Sequence, residues 1–177
     1  MRKTVINADI INPRSHSQQK WLDLEEIATV EVTSEDPNFP IESALAAGEG
    51  LGWRAVEPGK QIIRILLDNP RPLRRIRLEF SEPEIERTQE FTLRWSQAGG
   101  PFREIVRQQW NFSPQGSTSE IEDYQVQLEK VSALESTLKP DLTPDTAFAT
   151  LAAWRVSYRR AASVLRPKLA PDLVNFF

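Results

Sequence analysis

Apolar and polar residues alternate with a period of two through most of the middle of this chain. In residues 91–96, Phe91, Leu93 and Trp95 fall on one face and Thr92, Arg94 and Ser96 on the other. Ala98-Gly99-Gly100-Pro101 then breaks the run where a hairpin must reverse. The same reading predicts eight strands, over residues 28–34, 61–67, 73–80, 90–96, 102–111, 119–128, 133–139 and 149–156. Residues 61–67, QIIRILL, are almost continuously apolar and are expected to be buried on both faces. Between the runs stand Pro70 and Pro72, Pro83, the Gly99-Gly100-Pro101 turn, Pro114 and Gly116, then Pro140 and Pro144. Proline cannot donate to a sheet ladder, so these positions read as strand ends.

Many short strands at this spacing predict an all-β fold, an antiparallel β-sandwich jelly roll with short helical turns. Residues 41–47 are expected to form one or two helical turns, and residues 158–166 a longer helix stopped by Pro167. If each connection reverses the chain, the longer ones (35–60, 81–89, 112–118 and 140–148) share one pole. The shorter ones (68–72, 97–101 and 129–132) share the other. Long loops on a rigid scaffold are where binding sits, so the long-loop pole is the expected functional end.

A chain of 177 residues fits a single domain with a core of its own. We divide it into an N-terminal arm packed on the domain (1–26), a β-sandwich (27–156) and a basic, partly helical C-terminal tail (157–177). The tail carries Arg159, Arg160, Arg166 and Lys168 against Asp172, a net +3 that leaves −6 for the rest of a chain whose total is −3. Its apolar end, LVNFF, suits docking on the domain or on a partner. The overall charge gives no footprint for nucleic acid, and no apolar run approaches membrane-spanning length. The chain has no cysteine, which removes disulfides, thiol catalysis and zinc–thiolate sites. The amino-terminal residues lack an apolar core of signal-peptide length. Together these features lead us to expect a cytoplasmic location.

Candidate chemistry is sparse. The one histidine, His16, lies in the N-terminal arm without the partners that a metal site or a catalytic triad needs. The run GEGLG at 48–52 lacks the strand-to-helix context and the lysine of a phosphate loop, and reads as a flexible loop. Glu82, Glu84 and Glu86, and again Glu120, Glu122 and Asp123, read as solvated acidic surfaces rather than paired catalytic carboxylates. The basic run 73–77 has no interleaved aromatics and reads as a charged outer strand face. No cofactor and no catalytic residue is expected.

Several segments, in order, resemble the discoidin or coagulation-factor type C domains, which are galactose-binding-like jelly rolls. They are ALAAGEGLGW at 44–53, the strand opening on Gln61, the strand 73–80, FTLRWSQAGG at 91–100 and ATLAAWRV at 149–156. The resemblance covers about residues 27–156. It implies a non-catalytic module that recognises a ligand, carbohydrate first among them, through loops at one end. The alternative that it implies is an intracellular protein–protein adaptor. It also implies that Trp53 packs beneath those loops. The family's structural calcium is held near the positions of Ala47-Gly48 and Leu51, where this chain offers no side-chain oxygen. Calcium requires six to eight oxygens, so a calcium site is not expected.

Two readings of the aromatic residues stay open at this stage. Trp110 and Phe112 flank Asn111 at a strand end. Together with Arg87, roughly where glycan-binding relatives place an arginine, they could form an apolar platform beside planar hydrogen-bonding groups. Gln89, Glu84 and Arg54 complete that candidate ligand-binding set. Alternatively, Trp110 and Phe112 close the end of the core, and Arg87 pairs with a local glutamate.

Overall fold

The computed structural model describes residues 21–48, 50–143 and 146–158. Eight strands carry it: β1 (Ala28–Val32), β2 (Trp53–Pro58), β3 (Gln61–Ser81), β4 (Arg87–Ser96), β5 (Arg103–Phe112), β6 (Ser119–Lys139), β7 (Phe148–Leu151) and β8 (Ala153–Ser157). Two short helices, α1 (Leu24–Ile27) and α2 (Ile41–Leu45), accompany them. All strand pairings are antiparallel. One hydrogen-bonded network runs in the order β1-β3-β6-β4-β5, with β8 also on β3, and β2 pairs with β7 separately.

The frame is the pair β3 and β6, each 21 residues long, in register from Gln61↔Leu138 to Ser81↔Ser119. The first part of β3 also pairs with β1 and its last part with β8, while the last part of β6 pairs with β4. Phe80, near the end of β3, lies 5.4 Å from Phe91 between ring centroids. Phe91 pairs with Leu138, which pairs with Gln61 at the start of β3. Held straight, a strand of this length would separate its ends by roughly 65 Å. Both strands therefore fold over midway, and the single network becomes two facing layers. One layer holds β1, the first half of β3, the second half of β6, β4 and β5. The other holds β8 and the remaining halves.

This corrects the strand pattern read from sequence. Residues 61–67 and 73–80 are one strand, as are 119–128 and 133–139. Pro70 and Pro72 mark a bend with shifted register between Leu66 and Arg75, not a break. A missing N–H is tolerated where a bulge leaves the ladder irregular. On β6 the bend falls at Lys130, which adopts φ 54°. The chain still reverses at both points, so the expected grouping of connections into two poles stands.

Three smaller differences follow. Trp53–Pro58 is a strand inside what read as a long loop. Residues 149–156 split into β7 and β8 at Ala152, whose N–H donates to the Glu79 carbonyl at 2.8 Å. Residues 61–67 bury one face fully and the other only in part, because Arg64 and Glu135 cover the outer side with an ion pair of 2.7 Å. Between the layers lie Ile63, Ile65, Leu78, Phe80, Leu93 and Trp154, all buried. Each such side chain contributes about 1.5–3 kcal/mol on burial. The helix expected at 41–47 is present as α2. The one expected at 158–166 lies outside the described residues, as do His16 and nearly all of the tail. Where the arm enters the described region, Leu24 is buried and the Leu22 N–H donates to the Val156 carbonyl at 2.9 Å.

Candidate functional site

A cleft of about 770 Å³ opens at the long-loop pole. Three of the four long connections line it. The first supplies Leu51, the second Glu82 to Glu86, and the third Asp141, Thr146 and Ala147. The fourth adjoins it, since the Thr118 carbonyl accepts the Glu82 N–H at 2.8 Å. Strand ends complete the walls with Trp53 and Arg54 of β2, Ser81 of β3, Arg87 of β4 and Phe148, Thr150 and Leu151 of β7.

Backbone bonds fix these walls to one another. The Arg54 N–H donates to the Phe39 carbonyl (3.1 Å), the Gly59 N–H to that of Ala147 (2.9 Å), and the Leu142 N–H to that of Thr88 (3.0 Å). Gly52 has φ +76°, and a Cβ there would sit 2.6 Å from the Leu151 carbonyl oxygen. A Cβ on Gly50 would collide with the Ser43 carbonyl. At Gly50 and Gly52 the backbone is therefore approached too closely by neighbouring carbonyls for a side chain to fit.

Electrostatically, the cleft divides into a sealed floor and an open wall. The Arg87 side chain is 1% exposed and pairs with Glu82 Oε2 at 3.0 Å. Its Nη1 donates to the Phe148 carbonyl at 2.9 Å and its Nη2 approaches Gln89 Oε1 at 3.5 Å. Burial lowers the Arg87 pKa; the Glu82 and Asp141 carboxylates oppose that shift, and Arg54 adds to it. The other Glu82 oxygen accepts the backbone N–H groups of Glu84 and Ile85, both at 3.1 Å, so one carboxylate folds its own loop and anchors Arg87. On the open wall Arg54 is exposed, with its guanidinium carbon 5.6 Å from the centroid of the Phe148 ring. Leu51, Ile85 and Phe148, at 79, 53 and 37% exposure, place apolar surface around the opening.

Of the residues singled out from sequence, Arg54, Glu84 and Arg87 meet at this cleft. Gln89 lies buried behind Arg87. Trp110, Asn111 and Phe112 are not among its lining residues. Phe112 is fully buried, and Trp110 packs on Phe80, Phe91 and Phe112 with centroids 4.9, 5.4 and 6.0 Å away. Asn111 points outward and accepts from the Thr88 hydroxyl at 2.7 Å. The second reading of these residues therefore holds: the aromatics close the core, and Arg87 pairs with a local glutamate. The reason is register. Trp110 and Phe112 pair with Gln89 and Arg87 on β4, which puts them on the face that β3 covers. Trp53 is buried beneath the loops, as the resemblance implied. Phe148, Asp141, Leu51 and Ile85 were not singled out from sequence as ligand contacts. For Leu51, Ile85 and Phe148 the available signal was an apolar residue stranded in a long polar connection; Asp141 carried none.

The residues near Ala47, Gly48 and Leu51 do not fit calcium. Among the described residues no group of three or more acidic, histidine or cysteine side chains could hold a metal ion. Instead a cation of the chain reaches the carbonyls there. Arg155 Nη1 donates to the Ala44 carbonyl at 2.6 Å and to that of Trp154 at 3.2 Å, and Nη2 to that of Gly48 at 3.1 Å.

No family model matches the chain, and no curated protein matches it. Solved structures do match its fold. A family 32 carbohydrate-binding module of Clostridium perfringens NanJ, in complex with galactose, superposes with a TM-score of 0.57 at 14% identity, over 77% of this chain and 96% of that one. A second family 32 module from Clostridium perfringens, in complex with GalNAc-β-1,3-galactose, gives 0.56 at 18% identity, over 77% and 99%. The fold also occurs inside larger enzymes: this chain matches 27% of a Ruminococcus gnavus GH29 fucosidase with a TM-score of 0.56 at 11% identity, over 80% of its own length. The architecture is thus the discoidin-like β-sandwich that the segment order implied.

Proposed function

We propose that this chain is a non-catalytic binding module that holds an uncharged sugar unit in the long-loop cleft. One observation carries the reading. The exposed Arg54 guanidinium lies beside the partly exposed Phe148 ring, on a wall fixed from behind by the buried Arg87–Glu82 pair. A pyranose ring presents an apolar C–H face and a rim of hydroxyls. The Phe148 ring suits the first. The planar fork of Arg54 suits two neighbouring hydroxyls, with Glu84 and Asp141 as acceptors for others. Arg87 has its Nη groups committed to protein oxygens, so it supports the wall rather than touching the sugar. Likeness of fold to modules solved with galactose and GalNAc-β-1,3-galactose supports the same ligand class. Charge narrows it. Once Glu82 and Arg87 are paired, Glu84, Glu86 and Asp141 face Arg54 alone, and an acidic glycan would be repelled.

A panel of neutral, amino and acidic saccharides, titrated by calorimetry, tests this. Binding of a neutral sugar, weakened about tenfold or more in Arg54→Ala and in Phe148→Ala at unchanged melting temperature, is the expected result. No binding across the panel, or binding indifferent to both substitutions, would end the reading. The adaptor alternative draws on the exposed Leu51, Ile85 and Phe148. It predicts no sugar response, together with a protein partner lost in Leu51→Ser and Ile85→Ser.

A further inference from the structure

The connection from α2 to β2 reaches the cleft through Leu51, Trp53 and Arg54, so whatever holds its turn holds one wall of the site. Its backbone carbonyls need a cation or N–H donors, because a helix end and a tight turn leave carbonyl oxygens without ladder partners. We propose that the guanidinium of Arg155 is that cation, built into the chain, and that the wall forms without bound metal.

Three observations carry this. The Arg155 fork spans Ala44 at the end of α2 and Gly48 beyond it, with Nη1 at 2.6 Å and Nη2 at 3.1 Å from the two carbonyl oxygens. It comes from β8, whose register against β3 from Arg75↔Ser157 to Glu79↔Ala153 fixes its position. The carbonyls it takes lie beside Ala47, which brings no side-chain oxygen, and Leu51 further along is equally unable to ligate a hard cation. A single positive charge with planar donors satisfies two or three carbonyls well. A divalent ion needs about twice as many oxygens and would be repelled by the guanidinium already there. The same contacts join β8 to α2, across 111 residues of sequence.

The test uses the full chain and follows both its melting temperature and amide exchange over residues 44–53. Neither millimolar calcium nor excess EDTA should move the melting point. Arg155→Ala should lower it by about 5 °C and speed exchange in that segment at least tenfold. Arg155→Lys, which keeps the charge but loses the fork, should fall between. A melting point raised by calcium or lowered by EDTA in the unaltered chain would overturn the proposal even if Arg155→Ala does not fold. So would an Arg155→Ala chain whose 44–53 amides stay as protected as before.

Discussion

The two poles of the sandwich solve opposite problems with the same two strands. At one pole β3 and β6 fold over. The ladder continues through the bend, and short polar contacts finish the surface: Gln97 donates to the Glu129 carbonyl at 3.1 Å, and Arg74 pairs with Glu129. At the other pole the strands end, and longer connections must cross from layer to layer. Their ends are tied by a buried ion pair, by Arg87 on the Phe148 carbonyl and by Arg155 on the α2 turn, and a cleft remains between them. Where the ladder carries the chain around, the two layers stay joined by backbone hydrogen bonds. Where loops carry it, side chains with fixed partners can hold a cleft open.

The largest expected effect strikes the cleft pole. Arg87→Ala leaves the Glu82 carboxylate buried without its partner and should cost about 3–5 kcal/mol, measured by urea unfolding. A loss under 1 kcal/mol would show that the pair does not hold this pole together. Phe112→Ala, in the core behind the cleft, should cost a similar 3–5 kcal/mol, yet leave the intrinsic affinity of the remaining folded protein for its sugar unchanged. A selective loss of affinity would restore Phe112 as a ligand contact. At the fold-over pole, Lys130 sits in the left-handed region. Lys130→Val should cost about 1–2 kcal/mol, whereas Lys130→Gly should be neutral or slightly stabilising. Equal effects from both would mean that the bend does not depend on that backbone conformation.

The smallest effect lies between the poles, on the outer side of the β3–β6 pair. The Arg75 hydrogen bond, aided by Arg77, holds the Asp123 carboxyl below its ordinary range. That stabilisation is present above the unfolded carboxylate value of about 3.9 and is lost as pH falls through the lower folded value. Asp123→Asn should cost under about 1 kcal/mol at pH 7, with the difference from the unaltered chain closing near pH 2. A difference that persists undiminished in acid would assign the effect to packing instead.

Much of this could be read along the chain. Alternation placed Phe91 and Leu93 inward, proline and glycine marked the points where direction changes, and connection length pointed to the pole that holds the cleft. Two limits were physical. Pro70 and Pro72 look alike as a strand end and as a bend within a strand, since both leave the N–H unpaired; only the partner strand distinguishes them. Trp110 and Phe112 carry the residue types of a sugar platform, and the pairing of β5 with β4 beneath β3 packed Trp110 on the core and buried Phe112.

What the sequence determined by itself was therefore local: which residues extend, where the chain turns, and how much loop lies at each turn. Those follow from backbone sterics and from a side-chain period of two, which act over a few residues. Tertiary structure alone decided that Arg87 reaches the Phe148 carbonyl, that Arg54 stands beside Phe148, and that Arg155 serves carbonyls 107 and 111 residues away. Such pairings depend on which strands lie side by side, and the pairing of β2 with β7 and of β3 with β8 sets that over distances no local pattern encodes.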